Sequence, residues 1–446
     1  MFYRKLFILG LPIILRNTLS SFNGFIDNIM VGGLGSSEIS AASIINQILF
    51  IFCCTFVGTN AVIGLYSTQY FGIGDYLGIK KIFFIKIIIS LFLLFLFSVL
   101  IYLFYDKLIL LYMTRGDEIT KNNMFKLCKE YFVFSYLSLL PFIITQIFSS
   151  TLNESGNTIL PMFLCLLATL TNALLNYLFI YGNFGFPRLE LTGAALATFL
   201  SRFIEAAVVI ILRKKFIFFK NIFKNILIDI NLLYLIVKKA VPIYINEFLF
   251  SFSFVVIAQI YSLQSIDNIV IMSVTGTLSI FFMNLIFSIG YSSEILIGHQ
   301  LGQSNFDLAY LYSKKTLLFA FVIGLFFIPI IFMSSSYFPM LYDLNTEIIE
   351  NISKCICSFA LNFYLLSTGG VIFYILRSGG RILLLSIIDC GFFWLLVIPC
   401  QYLLVKYSTL KIFEIYFVTL FLNIIKCLVG IYFIKTKTWM RNLIIK

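Results

Sequence analysis

The chain has 446 residues, of which 61% are hydrophobic and 12% charged, with a mean hydropathy of +1.01. Ordinary soluble domains carry about a quarter charged residues, so the composition excludes a soluble protein and defines an all-α polytopic membrane protein. The net charge of +12 is spread between apolar segments instead of gathered in one patch, which fits membrane topology and argues against a nucleic-acid partner.

With about 20 apolar residues needed per crossing, the chain predicts about twelve transmembrane helices. They fall near 6–31, 40–66, 82–105, 131–152, 159–181, 191–212, 240–262, 268–297, 316–334, 355–376, 382–405 and 413–434. The first follows the basic stretch Met1–Lys5 and leads into Gly32, Gly33 and Gly35 without a small-residue cleavage site, so it reads as a span and not a cleavable signal. On it Arg16, Ser20, Asn23 and Asp27 follow at spacings of four, three and four and share one helix face. A carboxylate in hydrocarbon costs roughly 2.5–3.5 kcal/mol and usually serves ion or proton movement. Arg16 lies roughly 16 Å along the helix from Asp27, too far to pair with it. The plainer reading of Asp27 is a solvated carboxylate near the end of the span.

Further along, Gln47 sits in the second span, Asn172 and Asn176 share a face of the fifth, and Thr198 lies in the GAALAT stretch of the sixth. Arg202 and Glu205, three apart, predict a local ion pair. Between the sixth and seventh spans, 213–239 reads as a basic amphipathic connector on the cytoplasmic side, its lysines interspersed with Phe216, Phe218 and Phe219; a solvated loop is the alternative. The seventh span carries Asn246 and Glu247. Glu294, Asp389 and Lys426 occur later, each where it could face a solvated end. The nine Cys are scattered and lack His at metal spacing, the chain's one His being His299, so packing is their expected role.

The order of these features repeats. Pro12 and Pro242 each open a first span, 230 residues apart, and at the same offset Gln69-Tyr-Phe-Gly72 matches His299-Gln-Leu-Gly302. Leu152-Asn-Glu-Ser-Gly156 similarly matches Ile375-Leu-Arg-Ser-Gly379. Two six-span halves follow, related by an axis along the membrane normal because each holds an even number of spans. The expected division is a first lobe at 1–212, the connector at 213–239, a second lobe at 240–434 and a basic cytoplasmic tail at 435–446. Excess Lys and Arg in one set of loops places both termini in the cytoplasm of a cell-membrane protein.

Asp27, Asn172, Asn176, Thr198 and Glu247 form the candidate proton- or cation-coupling set, with Ser20, Asn23, Gln47 and Asn246 as candidate cleft residues. A buried carboxylate can hold H⁺ or Na⁺ in competition with a cationic substrate, which would couple ion entry to substrate exit. The bland alternative is interhelical glue, at about 1 kcal/mol or less per Ser, Thr or Asn.

The opening Pro with an Asp fifteen residues on, the following VGGLG, and the segments TQYFGIGD, ESGNTILPM, NALLNYLFIYGNFGFP and LTGAALAT together resemble the multidrug and toxic compound extrusion (MATE) family. The resemblance implies two six-helix lobes around a central cleft and efflux of small organic cations driven by H⁺ or Na⁺, without a cofactor and as a monomer. Its first-span acid maps onto Asp27 and its fifth-span Asn onto Asn172, where Na⁺ would be held. Many relatives carry Asp at the position of Asn176, and this departure shifts the expectation toward H⁺. Glu247 matches a seventh-span acid of some members, whose tenth-span Asp is absent near Leu366. A lipid-linked saccharide flippase is the competing reading, with Arg16 as its one conspicuous cleft cation. A membrane-embedded enzyme is the remote one, since no HExxH, GxSxG or P-loop is present.

Overall fold

In the computed structural model residues 2–112, 118–220, 229–265, 267–342 and 344–444 are described, and among them all regular structure is helical. Twelve long helices follow in order: α1 Phe2–Gly32, α2 Ser36–Ile73, α3 Tyr76–Tyr112, α4 Asn122–Glu154, α5 Ile159–Tyr181, α6 Glu190–Leu212, α7 Ile230–Ser262, α8 Asp267–Gly302, α9 Phe306–Tyr337, α10 Thr346–Ser378, α11 Leu384–Tyr407 and α12 Ile412–Lys435. Eleven of them are long and apolar enough to cross a membrane among the described residues; α7 supplies the twelfth by length. The helices persist through Pro12 and Pro242, as membrane helices allow when neighbours satisfy the freed carbonyls.

The helix α7 starts ten residues before the membrane span read from the sequence at 240–262. It begins at Ile230, and Asp229 caps it: its Oδ1 accepts from the Leu232 N–H at 3.1 Å, while its Oδ2 meets Lys81 Nζ at 3.4 Å. The aromatic half of the connector is likewise anchored: Phe219 is buried and stacks edge-on against Phe83 and Phe148 at 5.5 and 4.9 Å.

The chain groups into two compact units. One comprises Leu11–Ser67 and Asp75–Tyr234; the other comprises Met1–Gly10, Thr68–Gly74 and Leu235–Lys446. The division by contact thus assigns the first ten residues and the α2–α3 corner to the second half of the chain. In the first unit Phe52, Phe56, Phe83 and Phe148 form a dry core. Within it Lys86 is fully buried and donates to both carboxylate oxygens of Glu154, at 2.7 and 2.8 Å.

In the second unit α8, α9 and α10 pack through Phe282, Phe327 and Phe363, with Gly324 letting α9 approach Tyr364 and Ser367 closely. Arg377 grips Glu294 through two bonds of 2.9 and 2.6 Å. Glu154 and Arg377 are the repeat-matched residues of the two halves, so each half places an ion pair there with opposite polarity.

Also within this unit, the repeated Gln69–Gly72 and His299–Gly302 segments cross. A Cβ on Gly72 would lie 2.3 Å from the His299 carbonyl oxygen, and one on Gly302 would lie 2.1 Å from that of Gln69. Only glycine allows backbones this close. The C-terminal segment packs on this crossing: Trp439 is fully buried, the Leu443 N–H donates to Gln69 Oε1 at 2.6 Å, and Asn442 Nδ2 donates to the Gly302 carbonyl at 3.1 Å.

Candidate functional site

Three helices of the first unit bring the predicted polar residues together. From α5, Asn176 Nδ2 donates to Asp27 Oδ1 at 2.6 Å and to Asn172 Oδ1 at 3.1 Å. Asn172 in turn donates to Thr198 Oγ1 of α6 at 3.3 Å. Asn23, one turn before Asp27, reaches Asp27 Oδ2 at 3.4 Å. Asn172 and Asn176 are buried, whereas Asp27 keeps partial access. The spacing of four on α5 permits this convergence, since both amides then project from one face toward α1.

Asp27 forms no ion pair among the described residues. It is held by neutral amides, and the Oδ1 atoms of Asn23 and Asn176 have no hydrogen-bond partner. A carboxylate flanked by unspent amide oxygens and a hydroxyl is an oxygen-rich donor set suited to a proton or a small hard cation. The residue one turn after Asn172 on the same face is Asn176, whose side chain is a neutral amide.

Other predicted residues lie elsewhere. Ser20 and Gln47 are exposed and take no part in this network. The side chain of Glu247 lies outside the described residues. Asn246 is buried, with its Oδ1 unpartnered, and its carbonyl accepts from Cys390 Sγ at 3.1 Å. Glu294 and Asp389 do not face solvated ends: they pair with Arg377 and Lys426 inside the second unit. The Arg202–Glu205 pair predicted from spacing is absent. Arg202 Nη1 instead donates to Ser138 Oγ at 3.1 Å, and its guanidinium lies over the Phe142 ring at 4.9 Å. The face of α4 offers it a neutral oxygen and an aromatic surface together, and a cation binds well over such a ring. Arg16 is engaged inside the same unit, donating to Gln146 Oε1 at 2.9 Å.

Sequence reading missed the partners on α4. Their signal was present as the spacing Ser138, Phe142, Gln146, Ser150, Glu154, and as Lys86 in the strongly apolar third span.

A helical membrane protein built as a twofold repeat, with the Asp27 carboxylate held by amides inside the first half, has the form of a secondary transporter. The MatE family pattern matches residues 12–178 and 242–403, and the chain belongs to that family. It is 22% identical over 419 residues to the probable multidrug resistance protein YoeA of Bacillus subtilis, covering 93% of this chain and 89% of that one. It is 26% identical over 205 residues to the probable multidrug resistance protein NorM of Thermotoga maritima, a match spanning 46% of this chain and only 43% of the relative. The fold is that of the Vibrio cholerae MATE transporter VcmN in its bent form, with a TM-score of 0.87 at 17% identity, covering 98% of this chain and 97% of that one.

Proposed function

We propose that this protein is a secondary antiporter that exports small organic cations in exchange for H⁺, with Asp27 as the coupling carboxylate. Asn172, Asn176 and Thr198 position Asp27, and Asn23 completes the set. The observation that carries the reading is the 2.6 Å bond from Asn176 to an intramembrane carboxylate that has no cationic side chain paired to it. Such a carboxylate has its charge free for an exchangeable cation, and H⁺ and substrate compete for it. Relatives named as multidrug resistance proteins support the substrate class. The neutral Asn176 supports H⁺ over Na⁺, because removing one negative charge weakens a hard metal cation more than it weakens a proton. The protein acts as a monomer in the cell membrane, with both termini in the cytoplasm; the loop charges support that orientation.

The test is uptake of a fluorescent organic cation into proteoliposomes under an imposed pH or Na⁺ gradient. Wild type is expected to respond to the pH gradient and the Asp27→Asn variant to lose that response. Full gradient-driven transport by Asp27→Asn would remove Asp27 from the mechanism. Translocation of a lipid-linked saccharide, with no cation moved under either gradient, would replace the antiport reading by that of a flippase.

A further inference from the structure

Residues 437–444 run across the ends of α2, α8 and α10 within the second unit. The chain turns after α12 at Lys437, where φ is +57°, and buries the Trp439 ring completely. Beyond that anchor the contacts change in kind. Arg441 is exposed and Asn442, Leu443 and Ile444 are only half-buried, so polar bonds hold this stretch. Gln69, one turn from the end of α2, accepts from the Leu443 N–H at 2.6 Å and donates to the Arg441 carbonyl at 3.1 Å. Asn442 donates to the Gly302 carbonyl at 3.1 Å and to Ser304 Oγ at 2.9 Å, where α8 ends. Leu443 rests on Gly380, just past α10, where a Cβ would lie 2.7 Å from the leucine.

Helix α2 belongs to the first repeat and α8 to the second. Their crossing has direct contacts of its own, at Gly72 and Gly302 and through a 2.7 Å bond from Gln303 Nε2 to the Gly72 carbonyl. The C-terminal stretch adds a parallel connection, from α2 through Gln69 and Asn442 to α8. Its two ends are in series, so losing the bonds at Gln69 or those at Asn442 parts the same link. Segments with little buried apolar surface and hydrogen bonds near solvent open at lower free energy than the core around them. The stretch after Trp439 fits that description, and the buried indole keeps it beside its docking groups.

We propose that residues 440–444 are a releasable strap across the α2–α8 crossing, fixed at Trp439, and that the ends of α2 and α8 part when it lifts. Carriers built from repeats work by movement of one repeat against the other, so the strap sets how often this crossing opens. That purpose rests on the antiport reading; the test needs no transported substrate. Thr68 is buried against Gly298 of α8, and a Thr68→Cys reporter in the full chain, in lipid nanodiscs, is labelled by a charged maleimide when the crossing opens. Labelling is read on the peptide by mass spectrometry. Cys355, fully buried in the core of the same unit, is the internal control.

On this reporter Gln69→Leu and Asn442→Ala are each expected to speed labelling about tenfold, the scale of a net hydrogen bond lost from the link. The double variant is expected to label no faster than the faster single, because the two ends are in series. Arg441→Gln changes an exposed side chain and leaves the carbonyl that Gln69 uses, so it is expected to label as wild type does. Wild-type labelling in Asn442→Ala would overturn the strap. Additive effects of the two variants would also overturn it, by marking two independent contacts. So would faster labelling of Cys355 with a lowered melting midpoint, which marks loosening of the whole unit. Failure of wild type to exchange any organic cation for H⁺ would instead overturn the antiport reading and leave the labelling comparison intact.

Discussion

Replacing Lys86 by methionine is expected to lower stability by about 3–5 kcal/mol, the scale of leaving one member of a buried ion pair alone. Lys86 is fully buried, and its ammonium spends its donors on Ser150, Thr151 and both oxygens of Glu154. Methionine matches the length of the lysine stem but offers no donor, so Glu154 would lose the ammonium that faces both its oxygens, beside the backbone at Gly64, where an added Cβ would lie 2.4 Å from Glu154 Oε1. Neither side chain has room to turn toward water. The measurement is thermal unfolding in detergent, read as the melting midpoint and the fraction of monodisperse protein. The double variant Lys86→Met/Glu154→Leu is expected to recover most of the loss, because removing both charges also removes the cost of desolvating them. A single variant that melts with wild type would show that the pair contributes nothing to the fold.

The second large effect is expected from Gly302→Val. The α2–α8 crossing holds the Gln69 carbonyl 2.1 Å from where a Cβ of residue 302 would sit, and the obstruction is backbone that cannot rotate aside. Overpacking of an interior contact costs typically 1–3 kcal/mol or more. Here parting the helices also breaks the bonds from Gln69 to the Arg441 carbonyl and from the Leu443 N–H to Gln69, at 3.1 and 2.6 Å. The C-terminal segment should then come loose, so that the chain at Lys437 and Arg441, whose side chains are already exposed, becomes mobile enough for trypsin to cut. Limited proteolysis at these two sites, together with the melting midpoint, checks the expectation. Gly24→Ala is the control, since a Cβ there meets nothing within 4 Å. Cleavage of Gly302→Val no faster than of the control would show that the crossing does not hold the tail.

The Trp439 side chain tests the same C-terminal segment without touching the helix crossing. Trp439 is fully buried, and its carbonyl packs on Gly379, where a Cβ would come within 1.8 Å. Truncation by Trp439→Ala is expected to cost about 3–5 kcal/mol if the cavity does not collapse, measured again by thermal unfolding, without the backbone displacement that Gly302→Val forces.

Much of the candidate site was legible in the chain. The spacing of Asn23 and Asp27, and that of Asn172 and Asn176, are helical spacings, and an acid among apolar residues stands out because hydrocarbon makes it costly. The partners of the charged residues were not legible in the same way. Arg202 and Glu205 have the spacing of a local pair, yet Arg202 turns to Ser138 and Phe142 because α4 presents a hydroxyl and a ring at the right height. Glu294 and Arg377 are 83 positions apart, and no local periodicity connects them.

The same division holds for the fold as a whole. Apolar segments of span length, loop charge and the offset of 230 between Pro12 and Pro242 determined by themselves that the protein is a twelve-helix membrane repeat, because lipid imposes helix on each segment independently of its neighbours. The tertiary structure alone decided that Gly72 and Gly302, matched by that offset, pack each against the other's helix, and that the basic tail is clasped by Gln69. It alone also decided that Asp27 meets Asn176 while Arg16 and Arg202 are drawn to α4. Those outcomes depend on which helix faces are adjacent and how closely their backbones approach, and hydropathy carries no record of either.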